Sequence, residues 1–116
     1  GGKLRAADNA VVGSVTSDFI KNFKIDYAIV GISAIDKDGV LLDFDHDELM
    51  VTKTIYDQSR KIILIADANK FERKAPYVTG HLKDVDIFVT DKKPNRDIIK
   101  ICKQNNVELI ISKPST

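Results

Sequence analysis

The stretch KIILIADANK, residues 61–70, decides the fold. Its first six residues are short, β-branched and mostly apolar on both faces; the run then stops at Asp67, and a lysine follows at Lys70. A run of that length, bounded by a polar turn, suits a strand buried between helices in a parallel sheet, where both faces are covered. Three further runs share its character: YAIVGI (27–32), VDIFVT (85–90) and VELIIS (107–112). Helical patterns lie between them, from about Asp47 to Arg60 (Leu49, Thr52, Ile55, Tyr56, Ser59) and from about Asn95 to Gln104 (Ile98, Ile101, Cys102). Strand alternating with helix is the mark of βαβ units, so the fold expected is α/β, a mostly parallel sheet flanked by helices. DKDG (36–39) reads as a turn, and VLLDF after it as a short extra strand. Upstream, Val12, Val15, Phe19 and Phe23 recur at helical spacing, with Ser14, Thr16 or Ser17 as available N-caps, which predicts an amphipathic helix from about 14 to 23.

A chain of 116 residues makes at most one domain. Its 18 basic and 17 acidic side chains leave a net charge of +1, which carries no nucleic-acid footprint. The single Cys102 excludes an internal disulfide framework and a multi-cysteine zinc site, and it fits a reducing compartment. No signal-peptide core is present, and no apolar run approaches the roughly 18 residues of a membrane span, so the expectation is a soluble, cytoplasmic protein. GxGxxG, the P-loop and the Gx-Ser-xG elbow are all absent, which argues against dinucleotides, nucleoside triphosphates and α/β-hydrolase chemistry.

In an open parallel sheet, ligands bind outside the carboxyl ends of the strands, because the strand-to-helix loops gather on that edge. After YAIVGI come Ser33 and Ala34; after KIILIA, Asp67, Ala68, Asn69 and Lys70; after VDIFV, Thr90 and Asp91. Gly31 adds a position where a ligand could come close to the backbone. Lys70 offers a flexible point charge suited to phosphate, and Asp67 can orient it or accept from a sugar hydroxyl; the plainer alternative is a solvated lysine and an aspartate that caps the next turn. In DFDHDEL (43–49), Asp45 and Glu48 form a capping box, N-cap and N3, for the helix that follows, or else Glu48 is a general base or hydroxyl acceptor at the mouth of the site. Asp45, His46 and Asp47 are adjacent and do not easily converge on one metal ion. His81 reads as part of a surface turn and Cys102 as core.

GGKLR, DYAIVGISAIDKDGVLLDFDHDE, ILIADANKF and VDIFVTD, taken in that order and spacing, resemble the C-terminal sensor domain of the DeoR family of bacterial transcription repressors over essentially the whole chain. The resemblance implies a regulator that senses a phosphorylated sugar or polyol, with glycerol 3-phosphate the first expectation, and that is a homo-oligomer. Operator DNA would be bound only through an N-terminal winged helix-turn-helix. It also implies a fold similar to ribose-5-phosphate isomerase and the CoA transferases. DANK resembles the isomerase's Asp-x-Ser-Lys block, with Asn69 in place of serine, so Lys70 takes the phosphate-binding role by similarity. Glu48 falls where the isomerase has its proton-transferring glutamate, but VGISAID puts Gly31, Ile32 and Ser33 where catalytic acids would stand. The implied ligand-binding set is therefore Gly31, Ser33, Glu48, Asp67, Lys70 and Asp91, in a protein that is not an enzyme and needs no metal or cofactor. Two alternatives are an isomerase-like enzyme using Glu48 and Lys70, and an oligomerisation module with a vestigial site. Residues 1–116 are expected to be one sensor domain lacking the helix-turn-helix and the first part of the sensor.

Overall fold

The computed structural model describes residues 4–5, 10–11 and 24–112, without the side chains of residues 4, 5, 10, 11 and 48. The helix expected over 14–23 lies outside the described residues. Two short strands, β1 (Leu4–Arg5) and β2 (Ala10–Val11), pair antiparallel. Next come β3 (Ile25–Val30), β4 (Ala34–Ile35), β5 (Val40–Asp43), helix α1 (His46–Gln58), β6 (Ser59–Ile65), a 3-10 turn (Ala68–Glu72) and β7 (Tyr77–His81). A second 3-10 turn (Leu82–Asp84), β8 (Ile87–Thr90), helix α2 (Arg96–Gln104) and β9 (Glu108–Ile111) complete the order.

Strands β3, β6, β8 and β9 form one parallel sheet in that spatial order, so the α/β expectation holds. Each crossover carries something different. The chain goes from β3 to β6 through β4, β5 and α1, from β6 to β8 through β7 and the two 3-10 turns, and from β8 to β9 through α2. Strand β7 returns antiparallel to β5, on the side away from β4, so the first two crossovers share a small sheet ordered β4-β5-β7, with a bulge between Leu41 and Leu42. The turn between β4 and β5 is fixed by Asp36, whose carboxylate accepts the amides of Asp38 and Val40, both at 2.9 Å. Gly39 adopts φ +84°, a conformation that a side chain makes costly.

The core lies on one face of the parallel sheet. Ala28, Ile62, Leu64 and Phe88 pack there with Ile35 and Leu41 of the small sheet, Leu82 and Val85, and with Ile98 and Cys102 of α2. Helix α2 forms because Asn95 caps it, its Oδ1 accepting the Ile98 amide at 2.9 Å, and because Ile98 and Cys102 recur one turn apart on its buried side.

The opposite face corrects one expectation. Among the described residues the sheet is not covered on both sides, since Tyr27, Ile29 and Ile65 are 64%, 69% and 50% exposed. Boundaries also shift. β3 begins at Ile25 and ends at Val30, so Gly31 and Ile32 belong to the loop, and Ser59 and Arg60 leave the expected helix to open β6. Ser59 ends α1 with extended backbone, and its amide still reaches the Tyr56 carbonyl. His81 is no free surface turn. It closes β7 and caps the next 3-10 turn, with Nδ1 accepting the Lys83 amide at 3.0 Å and Nε2 set 2.8 Å from the Asp38 carbonyl.

Candidate functional site

Parallel pairing places the carboxyl ends of β3, β6 and β8 side by side, and the loops after them hold most of the residues singled out above. Lys70, half-buried, stands on the 3-10 turn after β6, and that turn packs against β4. Two carboxylates brace the turn. Asp67 caps it, its Oδ1 accepting the Asn69 amide at 2.9 Å. Asp91, from the loop after β8, reaches across to accept the Ala68 amide at 2.7 Å. A carboxylate that accepts a backbone N–H makes a stronger hydrogen bond than a neutral acceptor, so Lys70 is presented from a held turn.

Ser33, after β3, turns inward. Its Oγ donates to Asp43 Oδ1 at 2.5 Å. Asp43 ends β5 and is 8% exposed. Burial pushes its carboxyl above the usual aspartate range, and the negative charge of Asp45 adds to this; the Ser33 hydrogen bonds and the positive charge of Lys70 pull the other way. Ser33, Asp43 and Lys70 thus come together from three different elements. Gly31 is exposed, and a Cβ built there would meet nothing within 4 Å, so open space lies before the backbone at this point.

Glu48 is the third residue of α1. Asp45 is the N-cap, its carboxylate accepting the amide of Asp47, the second helical residue, at 2.9 Å, an ordinary N-cap bond in place of the N3 contact of a capping box. The His46 ring stands edge-on to Tyr77 with centroids 5.5 Å apart. Among the described residues no three His, Cys, Asp or Glu side chains are placed to share an ion. No helix among them is long and apolar enough to cross a membrane.

Sequence reasoning carried Asp45 and Glu48 forward from the acidic stretch and passed over Asp43. The signal was available: in a strand, residues two apart share a face. Leu41 is buried, so Asp43 points inward too, a charge at a core position. A polar cleft of about 360 Å³ opens between α1 and β7, lined by Lys53, Tyr56, Asp57, Thr79 and Asp84. The Tyr56 hydroxyl is buried with no hydrogen-bond partner among the described residues, and burial together with the charges of Asp43 and Asp84 raises its pKa. The periodicity of α1 marked Tyr56 only as part of its apolar stripe.

Comparison with known proteins bears on this geometry. Residues 1–92 match the family model described as the DeoR C terminal sensor domain. The chain is 40% identical over 111 residues to the glycerol-3-phosphate regulon repressor of Haemophilus influenzae, covering 96% of this chain and 43% of that protein. It is 38% identical over 109 residues to the glycerol-3-phosphate regulon repressor of Escherichia coli, covering 94% and 43%. It is also 31% identical over 111 residues to the HTH-type transcriptional repressor CsqR of Escherichia coli, covering 96% and 42%. The chain spans less than half the length of the curated relatives it matches.

Proposed function

The chain belongs to the DeoR C-terminal sensor domain family, and we propose that it is the effector-binding part of a transcriptional repressor that senses a phosphorylated sugar or polyol, glycerol 3-phosphate first among them. The observation that carries the proposal is Lys70, held on a turn that Asp67 and Asp91 brace and that packs against β4, with its positive charge felt at Asp43, the partner of Ser33. A lysine supplies a mobile point charge and three donors for phosphate oxygens. Ser33, Asp67 and Glu48 are the acceptors nearest in role for hydroxyls, Asp91 stands at the rim, and Gly31 leaves room for the ligand to meet the backbone. The Escherichia coli and Haemophilus influenzae repressors to which the chain is similar are named for the glycerol-3-phosphate regulon, which supports that ligand over a bulkier sugar phosphate.

In this reading the domain has a ribose-5-phosphate isomerase-like fold, completed by strands that the relatives' greater length accommodates. The complete protein is a cytoplasmic homo-oligomer that reaches its operator through a winged helix-turn-helix. The effector acts by differential affinity for DNA-competent and DNA-incompetent states; equal affinity for both would shift nothing. Repressor relatives favour sensing over turnover. The test is calorimetric titration of a complete sensor domain with glycerol 3-phosphate beside Lys70→Ala. Tight binding lost in the variant is expected, and equal binding by the two proteins refutes the role of Lys70.

A further inference from the structure

Three carboxylates meet near Lys70, and the structure separates their tasks. Asp67 and Asp91 each spend an oxygen on a backbone amide of the turn that presents the lysine. Asp43 braces no turn. It is buried, its hydrogen-bond partner among the described residues is Ser33, and it joins the small sheet to the sheet edge where Ser33 and Lys70 stand. An ionised carboxylate offers about four acceptor positions. Taking such a group out of water is costly unless it is well hydrogen-bonded, and a serine fills only part of that capacity.

Resting on the reading of Lys70 as a phosphate ligand, we propose that Asp43 is the specificity-determining acid of this site: its carboxylate accepts a hydroxyl of the bound polyol, with Ser33 as its positioning residue. The site then discriminates hydroxylated monophosphates from bare phosphate and from alkyl phosphates of the same length. A site built to hydrogen-bond a hydroxyl rejects the analogue that lacks one, because the buried polar group is left unpaired. The same negative charge lies within electrostatic reach of Lys70 and opposes any phosphate brought there. A ligand therefore gains from Asp43 only if it carries a hydroxyl to place on it. Family likeness did not point to this residue; its inward position follows from the alternating burial of β5, which the pairing of β5 with β4 and β7 fixes.

The experiment is calorimetry on the complete sensor domain with three probes, glycerol 3-phosphate, 1-propyl phosphate and inorganic phosphate, against the wild type, Asp43→Asn, Ser33→Ala and Lys70→Ala. The wild type is expected to prefer glycerol 3-phosphate over propyl phosphate by about tenfold or more. In Asp43→Asn that preference falls to within about threefold, while inorganic phosphate binds as tightly as before or more so, because a negative charge has gone. Ser33→Ala, which retains the carboxylate but frees it, loses part of the preference and serves as the second variant should Asp43→Asn fold poorly. Retention of the full preference in Asp43→Asn overturns the proposal and leaves phosphate binding by Lys70 standing. If no probe binds the wild type, or Lys70→Ala binds all three as well as the wild type does, the reading beneath fails and this one with it.

Discussion

Asp91→Ala tests whether Asp91 holds the turn that presents Lys70 or touches the proposed ligand. Its Oδ1 accepts the Ala68 amide at 2.7 Å from a neighbouring loop, and the side chain is half-buried. Hydrogen bonds to charged groups contribute about 1.5–3 kcal/mol, and partial exposure puts this one at or just below the lower end, about 1–2 kcal/mol. Alanine leaves the Ala68 amide to water and releases the first residue of the 3-10 turn, two positions before Lys70. If that whole cost appears as the free energy of closing the turn onto the ligand, affinity falls by about 5–30-fold, since about 1.4 kcal/mol corresponds to a factor of ten. Asp91→Asn retains an oxygen at the same place, though a neutral acceptor is roughly half as strong, so its loss should stay below about fivefold. Titration of the complete sensor domain with glycerol 3-phosphate, with urea unfolding of the same variants alongside, reads both quantities. Wild-type affinity in Asp91→Ala would show that the bond holds nothing that matters. An asparagine variant as weak as the alanine one would show that the charge itself meets the ligand, the role first assigned from the sequence.

Two further outcomes follow from burial. The folded state raises the pKa of Asp43 above its unfolded value, so the native protein binds that proton more tightly; the cost of ionised Asp43 is complete above the raised value, is relieved as pH falls through it, and is gone below the unfolded value. Asp43→Asn should therefore compare with the wild type more favourably in urea unfolding at pH 7 than at pH 4; a difference that is constant, or larger at pH 4, contradicts the assignment. Cys102 is 2% exposed, and burial raises its thiol pKa, so little thiolate forms at neutral pH. A thiol reagent should label it slowly in the folded protein and rapidly in urea, whereas fast native labelling would place Cys102 outside the core.

The parallel sheet was legible because its strands are short, β-branched runs separated by helix-length intervals, a pattern that local sequence carries in full. β7 was not. Tyr77–His81 holds a threonine, a glycine and a histidine, and it becomes a strand only because β5 offers it a partner from the preceding crossover. Asp67 and Lys70 could be found because they end an apolar run. The work of Asp67 and Asp91 as braces could not, since Asp91 lies 23 residues from the amide it holds. Asp43 was hidden by its neighbours: in a run of acids the exposed ones look like the site, and burial becomes visible only when the strand's inward face is known. Among the described residues Tyr27 and Ile29 stay exposed on the second sheet face, because an apolar run reports what a strand can bury, not what is beside it.

The small sheet that joins β5 to β7 also sets an order of events. The β4–β5 hairpin closes across one tight turn and can form early, but β7 reaches β5 only after α1 and β6 have been laid down between them. Long-range pairings of this kind form late, because loop closure must come before any contact rewards it. Ser33 and Asp43 arrive with the first crossover and Lys70 with the second, so the residues that would meet an effector are assembled by a late step of folding. A nascent or partly unfolded chain would then be blind to its signal until the second crossover had docked.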